Sequence, residues 1–328
     1  MLILKIDPQM TDVLLAARFL QGRIRRTPTE RSELLSRLTG GEVFLKWENQ
    51  QICGSFKIRG ALNKMYSLTA EERGRGVVTA SSGNHAQGVA MAARALSTRA
   101  VICVPGVCPE TKQAAIRRLG GDKVELKVTG HFYDDAEDEA HRLQQEQGMT
   151  YISSHADHYV ISGAGTLGLE MIMDEPELDM IIVPAGGGGL INGVAIAVKA
   201  LNPDTRIWGV QSVASNPFVV SWPGGKVLEV AYQDSLADGL TGLIPQSLLD
   251  LAKKKVTGFV DVEEADIAKA IAFLHSNHHQ VVEGSGAVGV SAVMTGRIPV
   301  KGLRVGVVIS GGNIDHPRLL EILKEYTD

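Results

Sequence analysis

Aromatic residues make up only 5% of this 328-residue chain, and cysteine occurs three times, at Cys53, Cys103 and Cys108. An odd count without C-x-x-C spacing excludes a disulfide framework and a zinc knuckle, and the thiols are expected to be reduced. Neither sign of charge is in marked excess: 33 lysines and arginines stand against 37 aspartates and glutamates, a net charge of −4. Such a mixture offers no basic face to nucleic acid or to an acidic membrane surface, and leaves a small-molecule site as the expectation. No apolar run approaches the roughly 18 residues that span a bilayer. The opening MLILKIDPQM contains no signal-peptide apolar region, so a cytoplasmic protein is expected. Internal repeats, low-complexity segments and long Pro/Ser linkers are missing too, which excludes solenoids and arrays.

What is present is a core. At 44% hydrophobic residues the chain can fill about two domains. Short β-branched runs alternate with helical ones: GVVTAS (76–81) before AQGVAMAARAL, AVICVP (100–105) before ETKQAAIRRLG, DMIIVPA (179–185) before LINGVAIAVKAL, then RIWGVQS (206–212), and LRVGVVIS (303–310) before PRLLEILKEY. Strand, turn and helix in repetition predict an α/β protein with mainly parallel sheet covered by helices. Ligands of such sheets bind beyond the carboxyl ends of the strands.

Four local features carry chemistry. In CGSFKIRG (53–60), Lys57 stands beside the apolar stripe of Ile58, Ala61, Leu62 and Met65 on a predicted helix. Alone it is equally a lysine whose stem lies on apolar surface. The turn Gly186-Gly187-Gly188-Gly189 joins a buried strand to a helix start, where backbone N–H groups and the helix dipole suit a phosphate. It matches neither G-x-G-x-x-G nor the P-loop pattern. SSGNHAQG (81–88) places Ser81, Ser82 and Asn84 at another helix start, as a carboxylate site or as an ordinary cap. In SGGNID (310–315), Ser310 ends a strand. A lysine near an apolar face, a phosphate cup, a carboxylate cup and a strand-end serine together match pyridoxal phosphate held by a lysine, with an amino acid above it.

KWENQQICGSFKIRGALNKM, SSGNHAQGVA, GGGGL and SGGNID resemble the fold-type-II pyridoxal-phosphate enzymes, in the branch of threonine/serine dehydratases and serine racemase. The resemblance runs from about Pro28 to about Asp315. It implies that Lys57 holds the cofactor and removes the substrate's Cα proton, with its pKa lowered by partial desolvation. Phe56 would lie against the cofactor ring and Asn84 would meet its phenolic oxygen. Gly186, Gly187, Gly188, Gly189 and Leu190 would take its phosphate. Ser310 would face its pyridine nitrogen, where a neutral hydroxyl favours loss of a β-leaving group over transamination. Ser81, Ser82, Asn84 and His85 would surround the substrate carboxylate, and Ser82, opposite Lys57, would serve a racemase as proton donor.

The chain also departs from the family pattern. GVQSVASNPF has Gln211, Ser215 and Pro217 where metal-activated members carry oxygen ligands, so no divalent-cation site is expected. The segment SSHADHYVISGAGTLGLE reads as shorter than the pattern and has Ala164 in place of glutamine. TGHFYDDAEDEA lacks an arginine for a substrate side-chain carboxylate, and both segments are expected to border the substrate pocket. His275 and His279 have i, i+4 ligand spacing on a predicted helix but no third ligand. The acidic run DDAEDE (134–139) reads as a solvated face, and Glu283 as either a cap or a cofactor neighbour.

The expectation is therefore a large cofactor-binding domain (1–74 and 149–328) and a small mobile domain (75–148), with no C-terminal regulatory domain and no feedback control. The expected activity is dehydration of a β-hydroxy amino acid to a 2-oxo acid and ammonia, in a homodimer. Racemisation, β-replacement and breakdown of a hydroxylated compatible solute are alternatives within enzymes, and a non-catalytic phospho-ligand binder is the alternative outside them.

Overall fold

In the computed structural model the described residues are 6–231 and 233–326; residues 1–5, on which the reading of the opening stretch partly rests, lie outside them. The chain begins with helix α1 (Met10–Leu20), strand β1 (Thr29–Arg31), α2 (Glu33–Thr39) and β2 (Glu42–Trp47), followed by α3 (Lys57–Ser67) and α4 (Ala70–Arg75). A run of parallel units comes next: β3 (Val77–Ala80), α5 (Asn84–Ala95), β4 (Ala100–Val104), α6 (Glu110–Gly120), β5 (Val124–Val128), α7 (Tyr133–Gln147) and β6 (Thr150–Tyr151). The remainder is α8 (His158–Asp174), β7 (Met180–Pro184), α9 (Gly189–Leu201), β8 (Arg206–Ser212), α10 (Pro217–Ser221), α11 (Gln246–Lys253), β9 (Gly258–Val262), α12 (Glu264–His278), α13 (Gly284–Met294), β10 (Arg304–Ile309) and α14 (His316–Tyr326).

These strands make two sheets. One has the order β1-β2-β10-β7-β8-β9 and the other β5-β4-β3-β6. Every pairing is parallel except β1 with β2, an antiparallel edge. The central strands β4 and β7 are buried along their whole length, as expected where helices cover both faces. Val77, Ala100, Ile102 and Val104 of the second sheet pack with Ile58, Ala61, Leu62 and Met65 of α3 in one cluster that also takes in Val89 and Ile116. The apolar stripe beside Lys57 therefore faces the smaller sheet's layer.

Helix α8 brings the site together, because small residues let it lie close to both α3 and α9. A Cβ on Gly163 would stand 2.4 Å from the Arg59 carbonyl oxygen, and one on Gly193 would stand 2.4 Å from the Ile161 carbonyl oxygen. Behind this contact sits a buried ion network. Arg59 donates to Glu48 through Nε and Nη2, both at 2.8 Å, and to Glu170 through Nη1 at 2.7 Å and Nη2 at 2.8 Å. Lys46 Nζ donates to the same Glu170 and to the Thr27 carbonyl, each at 2.7 Å. Desolvated charges are tolerated here because each has a partner in good geometry. The network ties β2 and α8 to the start of α3, two residues from Lys57.

The pair His275 and His279 does not lie on one helix face. α12 ends at His278, and His279 caps it with left-handed backbone, φ +54°. Among the described residues no group of three or more His, Cys, Asp or Glu is placed to hold a metal, and no helix is long and apolar enough to cross a membrane. The acidic run is spent locally. Asp135 accepts the His131 and Phe132 N–H groups at 2.7 and 2.8 Å, and Glu139 pairs with Lys127 and Arg142.

Candidate active site

The carboxyl ends of β3, β7 and β10 face one another across the start of α3. Phe56 N–H donates to the Ser310 carbonyl at 3.1 Å, and Ser55 bridges to Gly311, so the end of β10 is strapped to the turn that launches α3. Lys57 is the first residue of that helix. Its Nζ donates to the Ser154 carbonyl at 3.0 Å and lies 5.2 Å from the centre of the Phe56 ring. Burial pulls the amine down to about 8, against the attraction of Glu283. A lysine so placed is a base near neutral pH, which a surface lysine is not.

The glycine turn closes the opposite side. Gly188 precedes α9 with φ +94° and no side chain caps that helix, leaving its first N–H groups for a ligand. A Cβ on Gly187 would stand 2.5 Å from the His155 ring, and one on Gly188 would stand 2.7 Å from the Phe218 ring. Leu190 and Ala164 line a small cavity beside Lys57, together with Phe56, His85 and Val160. Ala164 thus looks into the lysine's surroundings from α8.

Asn84 opens α5 after Gly83. Its amide is engaged on both sides: Nδ2 donates to Glu283 Oε1 at 2.6 Å, and Oδ1 accepts from Asn313 Nδ2 at 2.7 Å. Ser81 Oγ accepts the Gly83 N–H at 3.3 Å, and Ser82 is hydrogen-bonded to the Cys108 thiol. His85 is buried, with Nε2 3.0 Å from the Ile152 carbonyl. Burial, then the charge of Lys57, holds it down to about 3, as a neutral ring. Ser310 is also buried, its hydroxyl donating to the Ser285 carbonyl at 3.3 Å.

Three groups in this region were not singled out by motif: Ser154 and His155, side by side with Ser154 Oγ 2.8 Å from His155 Nδ1, and Lys112, whose Nζ reaches Asp238 at 3.4 Å and Asp315 at 3.9 Å. None of the three sits in a glycine-rich turn, and spacing alone gives no signal for them, although Ser154 and His155 belong to the segment SSHADHYVISGAGTLGLE. Glu283, weighed as a cap or a cofactor neighbour, lies at the centre, beside Asn84 and Gly311. Burial pushes its carboxyl up to about 7, and Asp238 adds to the effect. Gln211 is wholly occupied in the fold: Nε2 donates to the Ala185 carbonyl at 3.0 Å, and Oε1 accepts the Phe218 N–H at 2.8 Å, starting α10.

The donor set suits pyridoxal phosphate: an amine near neutrality, uncapped N–H groups on a turn that only glycine can form beside His155, and a buried neutral hydroxyl. Parallel strands from two sheets meeting around such a lysine define an α/β enzyme of fold type II. Residues 20–311 match the family model described as pyridoxal-phosphate dependent enzyme, and the chain belongs to that family. It is 44% identical over 307 residues to the L-threonine ammonia-lyase of Thermotoga maritima, covering 93% of this chain and 76% of that one. To the catabolic L-threonine dehydratase of Staphylococcus aureus it is 39% identical over 306 residues, 92% of this chain and 88% of that one. Among solved structures, maize serine racemase superposes with a TM-score of 0.91 at 31% identity, over 97% of this chain and 98% of that one.

Proposed function

We propose that this enzyme is an ammonia-lyase that dehydrates a β-hydroxy amino acid of the threonine/serine type to a 2-oxo acid and ammonia. The relatives named for threonine support the reaction class, and one observation supports the chemistry: an amine at about 8 hydrogen-bonded to a carbonyl beside an uncapped helix start. When bound, pyridoxal phosphate supplies an electron sink for charge developing at the substrate's Cα. Lys57 holds the cofactor and, once free, takes the Cα proton on Nζ. The Cβ–O bond then breaks, the hydroxyl leaves as water with the proton that Lys57 Nζ returns, and the enamine product hydrolyses to the 2-oxo acid and ammonia.

The other residues bind and orient. Gly186 to Gly189 and Leu190 N–H groups take the phosphate, Phe56 packs on the ring, and Ser310 offers the pyridine nitrogen a neutral hydroxyl. Ser81, Ser82, Asn84 and His85 hold the substrate carboxylate at the start of α5. Asn84 reaches the phenolic oxygen with the amide hydrogen that Glu283 does not use. Residues 75–148 form the small mobile domain that closes the site, and Lys112 on α6 ties it to Asp238 and Asp315 when closed. The protein works as a cytoplasmic homodimer, a setting that suits its three free, buried cysteines.

A second reading, racemisation, is favoured by the Ser82 hydroxyl at the start of α5. An ammonia-release screen over L-threonine, L-serine, threo-3-hydroxyaspartate and a hydroxylated diamino acid tests the main reading. Release from threonine or serine supports it. A visible absorption band without ammonia release from any of them would sink it, and no band at all would leave only a phospho-ligand binder. Size-exclusion chromatography with light scattering checks the dimer.

A further inference from the structure

The turn at Gly186 to Gly189 contributes backbone N–H groups but no side chain to an anion, and no side chain caps α9. Asn192 of α9 turns its Nδ2 to the Gly188 carbonyl, at 2.9 Å, and a second polar side chain comes from another segment. The His155 ring lies along the turn: a Cβ on Gly187 would approach its Cγ, Cδ2 and Nδ1 at 2.5, 2.6 and 2.8 Å, and one on Gly189 would stand 2.9 Å from His155 Cα. Glycine at these two positions keeps room for the strap that carries this imidazole.

Two further observations bear on the ring. Ser154 Oγ is 2.8 Å from Nδ1. With that hydroxyl donating, the ring proton is assigned to Nε2, which leaves an N–H donor on the far edge. Lys57 also stands close enough to His85 and His155 to depress both. Burial and then Lys57 hold His155 down to about 4, and His85 is lowered by burial, by Lys57 and more weakly by His155. Both imidazoles are therefore neutral beside Lys57, and a neutral ring still offers one N–H to an anion.

Resting on the reading that this turn holds the cofactor's phosphate, we propose that His155 is a side-chain donor to that phosphate, supplying the N–H that a glycine turn cannot. The strap 153–155 then serves both ends of the cofactor site. Its Ser154 carbonyl receives Lys57 Nζ, and its next residue holds the anion.

The test uses apo-protein, prepared by displacing the cofactor with hydroxylamine, and titrated with pyridoxal phosphate and with pyridoxal. His155→Phe keeps a flat ring against Gly187, whereas His155→Gln keeps a donor. For pyridoxal phosphate, His155→Phe should weaken binding about tenfold or more, the usual effect of losing a hydrogen bond to a charged group, and His155→Gln should stay within about threefold of wild type. Neither variant should change the affinity for pyridoxal, which has no phosphate, and the phosphorus NMR resonance of the bound cofactor should move in His155→Phe. Equal losses for pyridoxal and pyridoxal phosphate, or no loss for either, overturn the proposal. If His155→Phe proves unfolded by circular dichroism, a tenfold loss in His155→Gln also overturns it. Wild-type protein that binds neither compound overturns the cofactor reading itself, and is recognised by the absent visible band.

Discussion

Asn84 Nδ2 donates to Glu283 Oε1 at 2.6 Å, joining the first residue of α5, on the smaller sheet, to the residue that caps α13, on the larger one. The bond crosses the cleft in which Lys57 lies. Glu283 is also the group whose charge acts on that lysine, so the bond bears on both closure and proton balance.

Glu283 makes stability depend on pH. Its folded value of about 7 lies above the ordinary carboxyl value of 4.5. Below about 4.5 both folded and unfolded chains hold the proton, and the contribution is fully present. As pH rises toward 7 the unfolded chain releases it first, so stability is lost across that window and stays lost above it. Glu283→Gln, neutral throughout, should flatten the fall by on the order of 2–3 kcal/mol. Urea denaturation of apo-protein at pH 5 and pH 7.5 checks this, and parallel curves for variant and wild type would contradict it.

Lys57→Ala should fold and lose turnover by at least about a thousandfold, since anchor and base disappear together. The wild-type apo-protein offers an independent readout. Competitive acetylation should modify Lys57 with a midpoint near pH 8, well below the exposed lysines. A midpoint like theirs would show that burial does not act as described.

Ser82 and Lys57 approach the substrate from opposite sides in the proposed site. Ser82→Ala should abolish racemisation of serine and use of the D-enantiomer, while elimination from the L-substrate stays within a few-fold. Chiral chromatography decides: equal racemisation by variant and wild type, or none by either, leaves Ser82 with carboxylate binding alone.

Magnesium should raise activity by no more than a small factor, and EDTA should not lower it. Gln211 has both carboxamide atoms committed to the backbone at Ala185 and Phe218, and a hard cation needs several oxygen ligands including carboxylates. Strong activation would place a cation elsewhere in the molecule.

Much of this architecture is readable from residues. The run 206–212 is a strand end to end, and 76–81 and 303–310 contain theirs with a residue or two to spare, because buried parallel strands demand β-branched side chains. Strands such as Thr29–Arg31 and Thr150–Tyr151 give no such signal: they are short and partly exposed, and pairing with a neighbour rather than composition makes them strands. The glycine turn, Lys57 and Ser310 stand out because close approach restricts the residue type. His155 does not. Its significance comes from α8 drawing residues 153–155 over the turn, a contact made by tertiary packing between segments distant in the chain.

The ion network under α3 has a consequence for the lysine above it. Arg59 and Lys46 carry two positive charges, Glu48 and Glu170 two negative ones, and the four are interlocked by hydrogen bonds. From outside, such an arrangement has no monopole, and its field dies away within a few ångströms. The amine two residues on accordingly responds to its own burial and to Glu283. The foundation can thus be made of charge, rigid and directional, while remaining electrically silent toward the one group whose proton must move.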